Sequence, residues 1–353
     1  MSDDNADVPA TAGVPLAAHT TLRLGGPARE LVIASNDDEI IQSCRQNSPA
    51  LILAGGSNVV IGDAGVAGRV LLVRSRGIAA EPAGDGHVRV TAAAGEPWDD
   101  LVAATVAAGY RGLECLSGIP GSTGATPIQN VGAYGQEVAG TVAGVRVYDR
   151  AADEVRTLDP AACGFGYRHS VFKRHDRYVV LGVAFRLRVS GLSAPLRYAE
   201  LAAALGVAPG GSAPLADVRA AVLALRAGKG MVLDPADRDT YSVGSFFMNP
   251  VLDATAYAAL AARCPDGAPR GWPGADGAVK LSAAWLIERA GYARGYTRGG
   301  GVAVSGKHTL ALTHRGGGST AALLDLAADI RAGVQDRFGV RLDPEPVLVN
   351  CAL

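Results

Sequence analysis

Residues 165–173, FGYRHSVFK, crowd aromatic rings, cations and a hydroxyl around Arg168. An arginine fork suits a carboxylate or a diphosphate, which it can grip through two parallel hydrogen bonds. The same residue paired with a structural carboxylate would look no different in sequence. Residues 244–250, GSFFMNP, set a small hydroxyl, Ser245, ahead of two bulky aromatics and an amide, Asn249. No His or Asp adjoins Ser245 and the pattern is not a nucleophile elbow, so a hydrolase triad is not indicated; the bland alternative is a strand start. Residues 342–346, LDPEP, hold Glu345 between two prolines that fix its backbone. A solvated loop acid is the competing reading.

Two further stretches offer backbone rather than side chains. In residues 51–58, LILAGGSN, a short apolar run ends in the pair Gly55 and Gly56. Successive N–H groups at such a turn form a concave anion site, to which Ser57 and Asn58 add donors. The glycines are adjacent, so this is not the GxGxxG dinucleotide fingerprint, and a plain turn reads the same way. Residues 118–135, GIPGSTGATPIQNVGAYG, are too rich in glycine and proline for an ordinary helix or an uninterrupted strand. Such a segment lets main chain lie close to something flat or charged, while Ser122, Thr123, Thr126, Gln129 and Asn130 supply hydrogen-bonding groups; a long surface turn is the alternative. Residues 301–308 match GxxxxGK, but His308 stands where a magnesium-binding hydroxyl belongs. The flanks lack the strand and helix of a phosphate loop, which argues against a triphosphate site.

These stretches need a frame, and the chain is long enough to build one. Its 353 residues allow two or three domains, and 48 % hydrophobic with 19 % charged residues describes a globular protein. A net charge of -1 gives no long-range attraction for nucleic acid or an anionic membrane. The five cysteines are scattered, with no CxxC pair, so neither a disulfide framework nor a metal site is expected. Residues 1–15 lack the apolar core of a signal peptide and read as a mobile tail, and no apolar run is long enough to span a membrane. A reduced, cytoplasmic setting is expected.

Hydrophobic periodicity predicts a strand at 30–34, a helix at 37–47 capped by Asn36 or Asp37, and strands at 51–54, 70–73 and 88–94. A helix at 96–108 with Gly109 as its cap precedes the glycine-rich stretch. Strands at 142–148 and 178–189 flank the irregular segment around Arg168. Beyond a composition shift at 190–195, helices are predicted at 217–227, 281–290 and 319–338, and strands at 245–251, 309–313 and 347–349. The fold class is α+β with at least two domains.

In order, AGGSN, GLECLSGIPGSTGATPIQNVGAYG, GYRHSVFK, GSFFMNP and LDPEP resemble the ordered motifs of the UDP-N-acetylenolpyruvoylglucosamine reductase family, flavin enzymes of peptidoglycan precursor synthesis. The resemblance covers residues 18–350. It implies an FAD-binding domain of the vanillyl-alcohol-oxidase type in two subdomains, 16–80 and 81–190, followed by a substrate-binding domain, 191–353, whose C-terminal segment returns to the active site. It implies non-covalent FAD held by Gly55, Gly56, Ser57, Asn58, Ile119, Pro120, Gly121, Thr123, Gly124, Ala125, Ile128 and Gly132. Arg168, Ser245 and Glu345 match its catalytic positions, and Tyr134, Tyr198, Lys229 and Asn249 its substrate-binding positions.

By this resemblance NADPH supplies hydride, the second substrate is UDP-N-acetylglucosamine enolpyruvate, no metal takes part and the protein is a monomer. Tyr198 is similar to the tyrosine of the family's longer class, carried on a loop that closes over substrate. Two departures stand out: the 229–245 stretch is longer than in many members, and Met248 stands where a lysine is common. The resemblance also implies the chemistry. Arg168 would hold the substrate carboxylate as negative charge develops, Ser245 would donate the final proton, and Glu345, beside an anion, would have to carry or share a proton. Two other readings remain: an oxidase of the same flavin fold, which would lack the set Arg168, Ser245 and Glu345, and a nucleotide-sugar binding module, which would be colourless.

Overall fold

The computed structural model describes residues 8–264, 267, 269 and 271–353. They form two compact units that interleave along the chain. Unit 1 takes residues 8–14, Ala28–Gly55 and Ala67–Gly228; unit 2 takes Pro15–Pro27, Gly56–Val66 and Lys229–Leu353.

Unit 1 is built on two sheets. In the first, the order is Ala10–Pro15, Pro27–Ala34, Val66–Val73 and Leu51–Leu53, the last pair parallel. Helix α1, Asp37–Gln46, starts where the Asn36 side chain accepts the Glu39 N–H. The second sheet is antiparallel, in the order Glu154–Leu158, Val142–Asp149, Tyr178–Val189, His87–Ala93 and Ile78–Pro82. Its long strand reads YVVLGVAFRLRV and is buried continuously from Val179 to Phe185, because both faces are covered. Helix α2, Trp98–Ala107, turns Trp98, Leu101 and Val102 into the core beside Phe185. Helices α3, Ala199–Ala204, and α4, Leu215–Gly228, close the unit over a smaller cluster of Cys115, Leu196, Leu201, Val218 and Val222.

Unit 2 gathers around a long helix. After α5, Ala254–Ala262, and α6, Ala283–Arg289, comes α7, Thr320–Phe338, which buries Leu323, Leu326, Ala327, Ile330 and Val334 at helical spacing. Ser319 Oγ accepts the Ala322 N–H, Asp63 accepts those of Thr320 and Ala321, and Gly339 ends the helix at φ 72°. Val347–Val349 pairs in parallel with Val59–Ile61.

Two expectations are corrected. Residues 10–15 are an edge strand of the first sheet rather than a mobile tail, and Val8 is buried in the core behind it; residues 1–7 lie outside the described residues. The division at 190 also differs. Residues 191–228 belong to unit 1, where Leu196, Leu201, Val218 and Val222 pack on Cys115. Residues 15–27 and 56–66 belong to unit 2, where Leu22, Leu24 and Val60 enter the core around α7. Among the described residues no helix is long and apolar enough to cross a membrane.

Candidate functional site

In unit 1 the glycine-rich stretch is laid along the end of the strand His87–Ala93 and the start of α2. The Thr123 N–H donates to the Glu96 carbonyl, the Gly124 N–H to that of Ala94, and the Trp98 N–H to that of Gly121. The approach is too close for side chains. A Cβ on Gly124 would fall 2.5 Å from that of Ala94, and one on Gly55 would fall 2.5 Å from the Gly121 Cα. The second contact brings the LILAGG turn against the stretch 119–132. Arg74 Nη1 fixes the turn from behind, donating to the carbonyl of Ala54 at 2.8 Å. Ile119 and Ile128 rest half-buried on the core, and Pro120, Gly121 and Ala125 are half-buried beside them.

The Thr123 hydroxyl, fully buried, has no hydrogen-bond partner among the described residues. A buried hydroxyl inside a cradle of close-packed main chain is what a polar, planar cofactor would satisfy, so the residues present fit a flavin.

Further along, Gly132–Ala133 and Gln136–Glu137 form a hairpin whose turn holds Tyr134 at φ 48°. Gln136 Nε2 donates to the buried Glu114 carboxylate at 3.0 Å, and Gln136 Oε1 accepts the Cys115 N–H. The Tyr134 ring meets that of Tyr198 edge-on, 5.2 Å between centroids, and Tyr198 stands 43 % exposed at the start of α3. Arg168 is the second central residue of a tight turn in which Gly166 and His169 exchange both main-chain hydrogen bonds. Its φ is 52°, and its Nη2 donates to the Gly132 carbonyl at 3.3 Å.

Unit 2 supplies the other expected residues. Gly56, at φ 62°, is pressed against the His19 carbonyl, with Ser57 and Asn58 half-buried after it; the Asn58 carbonyl accepts the Val347 N–H. Residues 245–248 are not a continuous strand. They make isolated pairs, Ser245 with Ala311 and Phe247 with Pro344, and the Glu345 N–H donates to the Phe246 carbonyl at 2.9 Å. This register sets Glu345 across from the residue that follows Ser245. Asn249 Oδ1 accepts the Ala283 N–H at 2.9 Å, anchoring its amide at the head of α6. Lys229 directly follows α4. Lys307, the lysine of the GxxxxGK match, is ion-paired with Asp237 at 2.6 Å, and a hairpin of Val302–Val304 with Leu312–His314 surrounds it. That geometry bears out the rejection of a phosphate loop.

Residues 31–159 match the model of an FAD binding domain, and residues 234–349 match that of the UDP-N-acetylenolpyruvoylglucosamine reductase C-terminal domain. The UDP-N-acetylenolpyruvoylglucosamine reductase of Salinispora arenicola is 59 % identical, over 100 % of this chain and 99 % of its own. The chain belongs to the UDP-N-acetylenolpyruvoylglucosamine reductase family. The family's protein from Thermobifida fusca is 54 % identical, over 96 % of this chain and 98 % of its own. A solved reductase from Thermus caldophilus shares the fold, with a TM-score of 0.65 at 23 % identity, covering 97 % of this chain and 98 % of that one. As a member of the UDP-N-acetylenolpyruvoylglucosamine reductase family the chain is an FAD-dependent oxidoreductase with an FAD-binding domain and a family-specific C-terminal domain, as the motif resemblance implied.

Several residues that build the reductase framework escaped sequence reasoning. Asp99 is gripped by both Arg219 terminal nitrogens, at 2.7 and 2.8 Å, and accepts the Gly118 N–H, so α4 is tied to the first residue of the glycine-rich stretch. Burial works to raise the Asp99 pKa, but the bonds from Arg219 and Gly118 prevail and hold it below the usual carboxylate value. Burial pushes the Cys115 thiol up to about 12, with the Glu114 charge adding to the shift, which makes it inert at neutral pH.

Proposed function

We propose that the chain reduces UDP-N-acetylglucosamine enolpyruvate to UDP-N-acetylmuramate with NADPH, and that Arg168, Ser245 and Glu345 carry the chemistry at the substrate. The reaction itself follows from family membership; the residue roles are the reading that the local geometry supports. The chemistry that bound FAD supplies is hydride storage between NADPH and the enolpyruvyl ether. Gly55 to Asn58 and the stretch 119–132 would hold it, with Thr123 Oγ1 turned to a polar group of the cofactor. Arg168 then receives the substrate carboxylate, where its fixed cation offsets the charge that builds as hydride adds to the methylene carbon. Ser245 Oγ delivers a proton to the carbon bearing the carboxylate, and Glu345 shares a proton beside it. Tyr134, Tyr198, Lys229 and the anchored amide of Asn249 bind the nucleotide-sugar.

The observation that carries these roles is the register in unit 2, where LDPEP pairs with GSFFMNP so that Glu345 comes opposite the neighbour of Ser245. Five free thiols and no membrane-crossing helix among the described residues support a cytoplasmic location, and we take the working form to be a monomer. The test is an anaerobic mixing experiment on the flavin-loaded protein. NADPH should bleach the flavin in one phase, and only the enolpyruvyl substrate should restore its colour quickly. Equally fast recovery with oxygen alone would favour an oxidase of the same fold and count against the reading.

A further inference from the structure

Three bonds in unit 1 leave the glycine-rich stretch at successive alternate residues and end on one short turn and the residue that follows it. The Ile128 carbonyl accepts Ser170 Oγ at 2.6 Å; Asn130 Nδ2 donates to the Gly166 carbonyl at 3.1 Å; the Gly132 carbonyl accepts Arg168 Nη2 at 3.3 Å. The turn they hold, 166–169, is the one that presents Arg168. On its far side Lys173 Nζ donates to the Arg168 carbonyl at 2.9 Å.

We propose that Asn130 and Ser170 are positioning residues for the reduction, fixing the Arg168 turn on the cofactor-binding stretch so that its guanidinium meets the substrate carboxylate squarely. The inference rests on the role given to Arg168 above. Its physical basis is the cost of the turn. In the left-handed region the arginine Cβ crowds the following carbonyl oxygen, so without anchors the turn relaxes to other backbone conformations. Asn130 and Ser170 are 2 % and 0 % exposed, so their hydrogen bonds are made away from water. Each also has at least one further tie. Asn130 Nδ2 donates to Glu137 and its Oδ1 accepts the Ala139 N–H, while Ser170 Oγ accepts that of Phe172. Asn130 itself sits at φ 46°, a conformation that asparagine tolerates better than most residues. A guanidinium must align with both carboxylate oxygens, and displacing such a group by about 1 Å costs on the order of 100-fold in rate.

The test uses the flavin-loaded protein and five variants: Asn130→Gly, which keeps the left-handed backbone and deletes the amide, Ser170→Ala, Arg168→Ala, and each anchor change combined with Arg168→Ala. Asn130→Gly and Ser170→Ala should slow reoxidation by substrate about 10- to 100-fold and leave reduction by NADPH within about twofold. Titration with UDP-N-acetylmuramate, followed by the flavin difference spectrum, should show binding weakened about tenfold in the same variants. On the Arg168→Ala background either anchor change should add less than about twofold, because its effect passes through Arg168. Multiplicative losses in the double variants, or equal losses in both half-reactions, would overturn the proposal. Should Asn130→Gly fail to retain flavin, Ser170→Ala, which removes a single hydroxyl, decides the matter alone. Slow Arg168→Ala with fast anchor variants refutes the positioning role only; parental reoxidation by Arg168→Ala refutes the catalytic reading beneath it as well.

Discussion

The Arg168 turn of unit 1 and the Ser245–Glu345 ladder of unit 2 are held by opposite means. The turn is fastened by side chains, with Asn130, Ser170 and Lys173 each reaching a main-chain carbonyl. The bonds that set the ladder's register are main-chain ones: Phe246 N–H to Leu310, Met248 N–H to Asp343, and Glu345 N–H to Phe246. Backbone groups come with every residue, so the ladder tolerates changes of side chain that leave its prolines and register in place. The turn depends on identities, and one deletion can loosen it. On the roles proposed above, the group that grips a carboxylate at a set angle is thus mounted on specific side chains, whereas the proposed proton donor and its acid are mounted on a register.

The largest effect that would sharpen this contrast is at Ser245. Ser245→Ala should slow reoxidation by substrate about 10²- to 10⁴-fold, the usual contribution of a placed acid, and leave reduction by NADPH unchanged. Because the ladder needs no side chain at 245, the melting temperature should stay at the parental value. A large fall in melting temperature would show that the hydroxyl is part of the scaffold and break the comparison.

Next comes the close approach of Gly55 to the glycine-rich stretch. Gly55→Ala places a Cβ 2.5 Å from the Gly121 Cα, a main-chain neighbour with no flexible end to swing away. Overpacking of this kind costs about 1–3 kcal/mol, so the purified variant should retain FAD about 5- to 150-fold less tightly, read from its visible absorbance against total protein. Asp99→Asn should do less. It weakens the Arg219 grip between α4 and Gly118, and with Asp99 37 % exposed the loss of stability should be about 1 kcal/mol, measured by denaturant unfolding.

Much of the frame was legible because periodicity and caps act locally. The helix at 37–46 with its Asn36 cap, the helix at 320–338 ended by Gly339, and the strand at 347–349 are where hydrophobic spacing put them. The strand at 10–15 was missed because ATAGVP has little apolar pattern; its place comes from pairing with Pro27–Ala34. The interleaving of the units was also hidden, since Val59–Ile61 finds its partner only at the far end of the chain. For the site the division is similar. Arg168, Ser245, Glu345 and the glycines stand in runs of unusual composition that can be read directly. Their supports do not: Asn130 to the Gly166 carbonyl, Ser170 to the Ile128 carbonyl and Arg219 to Asp99 join groups 36, 42 and 120 positions apart, and nothing in one dimension links them.

The smallest expected effect probes the root of the side-chain-held turn. The 159–177 loop carrying Arg168 re-enters the sheet at Arg177, whose guanidinium grips Asp149 at 2.8 and 2.9 Å, while Arg156 meets the same carboxylate at 2.5 Å. The Arg177 bond comes first among the causes that hold the Asp149 pKa down, to about 2 from an ordinary 3.8. A carboxylate with a depressed folded-state pKa contributes stability that is complete above its unfolded value and disappears as pH falls through the folded one. The melting temperature of Asp149→Asn should therefore lie below the parental value by a constant margin at neutral pH, and the margin should narrow between about pH 4 and pH 2. Ser170 does not titrate in this range and its hydroxyl bonds the main chain of Ile128 and Phe172, so Ser170→Ala should keep a constant margin over the same interval. Parallel narrowing in both variants would mean that acid loosens the loop as a whole, and that its root and its tip are not separately fastened.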